Sequence, residues 1–210
     1  GVAKGQIVRE VDALGGYSGL VSDESAIQFR MLNRSKGPAM WSPRTQNDKY
    51  HFALTWREML EKTPGLDFWQ DSVTGVIVEG DKCVGVRTAL GSEIRAKAVV
   101  LTNGTFLNGL MHIGEKQFGG GRAGERASLG ITEQLVELGF KSGRMKTGTP
   151  PRIDGRSLDF TKMEQQPGDG DPTHFSFLKK RKDLSEQLPC HIAYTNAAVH
   201  DMLRSGFERS

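Results

Sequence analysis

The feature that most constrains the fold is the stretch Ala98-Val99-Val100-Leu101-Thr102-Asn103-Gly104-Thr105. Four apolar residues followed by Thr-Asn-Gly-Thr predict a strand buried on both faces that runs into a tight turn. A strand covered on one face only would alternate instead. Buried strands of this kind belong to α/β sheets, whose ligands sit beyond the carboxyl ends of the strands. There Gly104 allows a close backbone approach, and Thr102, Asn103 and Thr105 supply short hydroxyl and amide groups. An ordinary core strand with an ordinary turn has the same local sequence, so these eight residues leave both readings open.

The chain has 210 residues, enough for one good-sized domain or two small ones. Glycine accounts for 26 of them, roughly 12% against an average of about 7%. The excess falls in 119–124 and 143–155, which predicts loops that are mobile or shaped around something. The net charge of +3 permits a nucleic-acid partner without requiring one. The two cysteines, Cys83 and Cys190, form no CxxC or Cys/His spacing, which argues against a disulfide framework or a zinc site. A reducing cytoplasm is the expected home. No run of 18 apolar residues exists, so no membrane span is expected, and the first residues do not resemble a signal peptide. The chain enters directly into motif-like sequence and stops just after a helical pattern, and from this it reads as a piece of something longer.

Along the chain, apolar spacing predicts a helix over 6–14 stopped by Gly15-Gly16. Residues 25–32 fit a strand or a helix, and a further helix is expected over 45–62. A β-rich stretch follows: a short strand over 66–69, alternation over 72–79, a turn at Gly80-Asp81-Lys82, a return strand over 83–90, and 93–97 leading into the apolar run. Residues 106–127 read as loop. A helix over 128–139 is expected, capped by Ser128 or Thr132, with Leu129, Ile131, Leu135, Val136 and Leu138 on its apolar face. Residues 165–171 read as a mobile loop and 179–182 as a solvated charge run. A short strand over 188–194 leads to a helix capped at Thr195-Asn196, with Val199, Met202 and Leu203 facing inward. His200 and Asp201 are adjacent on that helix, about 100° apart, and cannot form a dyad with each other.

Charge marks two candidate anion sites. Arg34, Lys36 and Arg44 surround Trp41, and Arg144, Lys146 and Arg152 alternate with small residues around the rigid Pro150-Pro151 step. The glycine-rich 119–124 loop ahead of a helix suits an anion in principle, but it is neither GxGxxG nor a Walker motif.

Several ordered motifs resemble one family. They are Lys4-Gly5 with Val11-Asp12-Ala13-Leu14-Gly15-Gly16, then Ile27-Gln28-Phe29-Arg30-Met31-Leu32-Asn33, and Ser35-Lys36-Gly37-Pro38-Ala39 with Arg44, Gln46 and Asp48. They continue with Ala96–Thr102 through Gly104-Thr105-Phe106-Leu107, Gly120-Gly121-Arg122-Ala123-Gly124, Lys146–Arg152, and Pro189-Cys190 with Thr195-Asn196. This set is similar to the MnmG family, also called GidA, of flavin-dependent enzymes that modify tRNA.

The resemblance implies an α/β fold with α+β character: part of a two-dinucleotide-fold flavoprotein with an antiparallel β-meander and an inserted α/β subdomain. Residues 1–155 would be a partial FAD-binding domain with its meander near 66–97, and 156–210 part of the inserted subdomain. The family binds FAD, uses NADH and a methylene-tetrahydrofolate carbon donor, and works with the GTPase MnmE on the wobble uridine of tRNA. It also implies a homodimer. On the family pattern Val73 and Ser128 match flavin-contacting positions, and Thr102, Asn103, Gly104 and Thr105 lie where the flavin domain closes on its cofactor. Arg44, Arg144, Lys146 and Arg152 are the expected tRNA or anion contacts. No residue of the stretch is expected to be catalytic and none to bind metal. The family's glycine loop and reactive cysteines are expected outside these residues, so the chain alone is expected to be inactive and to bind FAD poorly. Two other classes remain open at this stage: a generic two-dinucleotide-fold FAD oxidoreductase and a non-catalytic RNA-binding module.

Overall fold

The computed structural model describes residues 4–148, 150–178, 184 and 186–209. The expected charge run over 179–182 and Thr149 lie outside the described residues. In chain order the elements are helices α1 (Lys4–Ala13) and α2 (Ser18–Glu24), strands β1 (Ala26–Leu32) and β2 (Ser42–Asn47), and helix α3 (Lys49–Glu61). Next come strands β3 (Val73–Glu79), β4 (Lys82–Thr88), β5 (Glu93–Arg95), β6 (Leu110–Ile113) and β7 (Lys116–Gly119), and helix α4 (Ile131–Glu137). Strands β8 (Glu164–Gln166) and β9 (Cys190–Ile192) and helix α5 (Ala197–Arg204) follow. The named strands form four small sheets, β1-β2, β3-β4-β5, β6-β7 and β8-β9, and every pairing is antiparallel. The content is thus mixed helix and strand.

The chain divides into two compact units, Gly1–Asp67 with Arg152–Ser210, and Phe68–Pro151. In the first, α1 ends where Gly15 takes φ +91° and the Gly16 amide returns to the Val11 carbonyl. Val21, Phe29, Phe175 and Leu184 are buried there. Residues 25–32, which fitted either state, form β1, because the chain turns back at 33–41 and Ser42–Asn47 pairs with it. That pairing corrects the expected helix over 45–62. Residues 42–47 are strand, and helix begins only at Lys49, where the Asp48 side chain accepts from the Tyr50 and His51 amides. Asn196 caps α5 as expected by accepting from the Val199 amide. The apolar side chains of α5 are not inward, however, since Val199, Met202 and Leu203 are all exposed.

Residues 165–171 are not a free loop either. Glu164–Gln166 pairs with Cys190–Ile192, the Asp169 amide donates to the Phe29 carbonyl, and the Asp169 carboxylate accepts from the Met31 amide and from Arg34. Gln187 completes the clamp: its amide donates to the Asp169 carbonyl and its oxygen accepts from the Phe29 amide.

In the second unit the expected meander is present. The β3-β4 hairpin turns through Gly80 at φ +62°, and Val76, Ile77 and Ile131 form a small core. Residues 66–69 make no strand. The larger departure is the apolar run itself. Residues 98–101 belong to no strand, and Val100 is 81% exposed. A two-sided buried strand needs neighbours on both edges and both faces, and the described residues supply no strand that pairs with it. Residues 106–127 contain the β6-β7 hairpin, which turns at Gly114 (φ +60°). The helix expected over 128–139 shortens to α4, and neither Ser128 nor Thr132 caps it. Glu133 reaches back to the Gly130 amide instead, because Gly130 at φ +97° sets the chain into the helix.

Candidate functional site

The second unit brings the expected cofactor residues together through hydrogen bonds. The Ser128 hydroxyl donates to the Val73 carbonyl at 3.0 Å, so β3 is tied to the segment that precedes α4. The Ser128 amide donates to the Phe106 carbonyl at 2.9 Å, and the Phe106 amide donates to the Asn103 carbonyl at 3.0 Å. The turn at 102–105 is therefore two links from Ser128 and three from Val73. Its far side is held by the Thr105 hydroxyl, which donates to the Gly121 carbonyl at 2.7 Å. Gly104 takes φ +56°, and a Cβ there would meet nothing within 4 Å. Only the φ, not crowding, favours glycine at this position. Thr102 and Thr105 are exposed and Asn103 half-buried.

Close packing fixes the same turn from the other side. A Cβ on Gly109 would come within 2.6 Å of the Thr105 carbonyl oxygen and 2.7 Å of that of Gly120. The Gly120 amide donates to the Gly109 carbonyl at 2.9 Å, so the two backbones touch here.

A residue missed by sequence reasoning sits at the centre. Asn108 takes φ +46°, a conformation favourable to asparagine among non-glycine residues. Its amide donates to the Ser128 carbonyl, its carbonyl accepts from Arg144 at 3.1 Å, and its side-chain NH2 donates to Glu133. Its side-chain oxygen is buried and has no partner among the described residues. The Asn108 amide group, more than any other cause, holds the Glu133 carboxyl below its ordinary value, with the Gly130 N–H acting in the same direction. The sequence signal for Asn108 was only an Asn-Gly pair inside a presumed loop.

The arrangement has a definite chemical bias. Val73, Thr102, Asn103, Gly104, Thr105 and Ser128 carry no charge, and the orphaned Asn108 oxygen is a pure acceptor. Such a set fits the uncharged parts of a dinucleotide, its rings and hydroxyls. It does not supply the cationic or clustered N–H groups that a diphosphate takes. Nor does any group of His, Cys, Asp and Glu among the described residues suit a metal ion.

The expected anion contacts divide between the units. Arg144 and Lys146 lie in the second; Arg144 is committed to the Asn108 carbonyl, and both are exposed. Arg44 and Arg152 lie in the first. Arg152 is exposed, whereas Arg44 is half-buried on β2 with one N–H on the Gln28 side-chain oxygen at 3.4 Å.

Two buried carboxylates in the first unit also escaped the sequence. Asp23 accepts from the amides of Phe175 and Ser176 at 2.7 and 2.8 Å, and Asp12 accepts from the Phe177 amide at 2.7 Å. They strap residues 175–177 against α1 and α2. Arg9 adds a cation–π contact, 4.3 Å from the Phe177 ring centroid.

Fold and site together define a mixed α/β chain with a neutral, glycine-lined polar turn clasped between a β-meander and a short helix. The chain belongs to the family described as glucose inhibited division protein A, whose model matches residues 1–210. It is 68% identical over 210 residues to the protein of Cytophaga hutchinsonii named tRNA uridine 5-carboxymethylaminomethyl modification enzyme MnmG. It is 67% identical to the protein of that name from Christiangramia forsetii. Each alignment covers 100% of this chain and 34% of the relative. Among solved structures, Aquifex aeolicus GidA in its form II crystal superimposes with a TM-score of 0.90 at 43% identity, covering 100% of this chain and 36% of that one. The chain thus spans about a third of the length of the curated relatives it matches.

Proposed function

We propose that these residues form part of a flavin-dependent tRNA-modifying enzyme. The whole protein would add a carboxymethylaminomethyl-type group to C5 of the wobble uridine together with the GTPase MnmE. The observation that carries this reading is 68% identity, along the entire chain, to a relative named for that modification.

Within it, Val73, Thr102, Asn103, Gly104, Thr105 and Ser128 line the uncharged part of an FAD site, as the neutrality of the set favours. FAD supplies the redox chemistry when bound. The chain's own residues orient the cofactor and exclude water at its edge. NADH and methylene-tetrahydrofolate are the co-substrates on the family resemblance, which also supports a homodimer and a cytoplasmic location. No helix among the described residues is long and apolar enough to cross a membrane. Arg44, Arg144, Lys146 and Arg152 face tRNA phosphate.

The test is a graft. The corresponding third of the Cytophaga relative is replaced by these 210 residues, and the chimera is expressed in a strain lacking that gene. Mass spectrometry of tRNA hydrolysates then detects the modified uridine. A folded chimera that leaves the wobble uridine unmodified contradicts the proposal.

A further inference from the structure

Arg30 and Arg44 stand directly opposite one another on β1 and β2. Side chains so paired in an antiparallel ladder lie with their Cβ atoms about 5 Å apart, and like charges in that position repel. The repulsion is not relieved from within. Among the described residues neither guanidinium has a carboxylate partner, although Arg34 next along the chain pairs with Asp169. The Nε of Arg30 and the Nε of Arg44 are both buried and have no acceptor among the described residues. Arg44 has one neutral contact, through Nη2, to the side-chain oxygen of Gln28.

The surroundings hold the two cations in place. Gln28, almost wholly buried, donates to the carbonyls of Gln166 and Leu188 at 3.2 and 3.0 Å. Its oxygen is therefore aimed at Arg44 and at the Cys190 thiol, which lies 3.5 Å away. Gln46, opposite Gln28 in the ladder, reaches the same sulfur at 3.7 Å. One face of the β1-β2 ribbon thus presents two half-buried guanidiniums framed by amides, with no anionic side chain among the described residues bonded to either.

We infer that this paired-arginine face is a binding site for phosphate oxygens carrying two negative charges. A single carboxylate would neutralise only one of the two cations. A phosphate monoester or a diphosphate carries about two charges and several acceptor oxygens, which match two planar donor forks side by side. A free nucleotide and neighbouring phosphates of an RNA backbone both present this chemistry. The site extends the anion role of Arg44 to a residue of β1 and does not depend on the tRNA-modifying reading.

The test begins with the unaltered chain. Its melting temperature is measured in inorganic pyrophosphate and in sodium chloride of equal ionic strength, and pyrophosphate affinity is measured by calorimetry. Pyrophosphate is expected to raise the melting temperature saturably. Arg30→Gln and Arg44→Gln are each expected to weaken its binding at least tenfold, the double variant little further, and Arg30→Lys several-fold. Arg57→Gln, a surface cation paired with Glu61, should stay within twofold. Without pyrophosphate, the single variants should melt no lower than the parent, since each removes a like-charge pair. Two further arms use NADH and a short single-stranded RNA. Loss of RNA binding in the variants marks the RNA backbone as the source, and loss of NADH binding alone marks a free nucleotide. Absence of any pyrophosphate effect on the unaltered chain overturns the inference. So does equal weakening in Arg57→Gln, or a marked drop in melting temperature for both glutamine variants and for Arg30→Lys.

Discussion

Ser128 and Val73 lie 55 positions apart, and the hydroxyl of one donates to the backbone carbonyl of the other at 3.0 Å. These two residues, which the family resemblance matched to flavin contact, are one joint of the fold. Replacing Ser128 by Ala leaves a part-buried carbonyl without its donor, at a cost of about 0.5–1.5 kcal/mol. Urea unfolding should show that loss with an unchanged slope. An unaltered midpoint would mean that the hydroxyl does not hold β3 to the turn.

Gly109 is confined by backbone rather than by side chains, since its missing Cβ would strike two carbonyl oxygens. Gly109→Ala must push the strand starting at Leu110 away from Gly120. A loss of about 1–3 kcal/mol is expected, as for other insertions into packed space. Amide exchange at Gly120, whose N–H donates to the Gly109 carbonyl, should accelerate along with it.

Glu133 gives the second unit a pH dependence of known sign. Its carboxyl lies below the ordinary glutamate value of 4.5, first because of the Asn108 amide. A carboxyl depressed in the fold contributes stability above its unfolded pKa, and that stability is lost as pH falls through the folded value. Stability should therefore be flat near neutrality and decline below about pH 4.5, the ordinary value. In Glu133→Gln the urea midpoint should fall less steeply between neutral and acid pH. An identical decline in both proteins would assign the effect elsewhere.

The Asp23 carboxylate receives two backbone N–H groups from residues more than 150 positions away. Asp23→Ala strands both donors in a buried place, and about 1–3 kcal/mol for each stranded group sets the scale. Hydrogen exchange should show the amides of Phe175 and Ser176 losing protection before the amides of β3 and β4 do.

These contacts also show which parts of the sequence were legible. Local chemistry was readable: the Gly80 turn, the Gly15-Gly16 stop after α1 and the Asn196 cap are set by residues a few positions apart. So was the meander, whose strands are consecutive. Contacts formed across long separations were not. The arginines of β1 and β2 face each other only because 33–41 folds back, and Asp12 and Asp23 gain their meaning from amides at 175–177. The apolar run at 98–101 shows the opposite failure. Its composition encodes two-sided burial, but the described residues contain no strand beside it. Of the candidate site, the 102–105 turn was read from its own residues and Val73 and Ser128 from the family resemblance, while Asn108, which joins them to Glu133 and Arg144, was not named.

The most direct test of the proposed flavin wall uses Thr102, which is exposed, and Asn103, which is half-buried. The whole protein carrying these residues is compared with its Thr102→Val/Asn103→Ala variant by FAD titration, followed by flavin fluorescence. The melting temperature of the apoprotein is measured alongside. The account predicts at least a tenfold loss of FAD affinity, equivalent to about 1.4 kcal/mol, with the melting temperature nearly unchanged. Undiminished FAD affinity in the folded variant would contradict it.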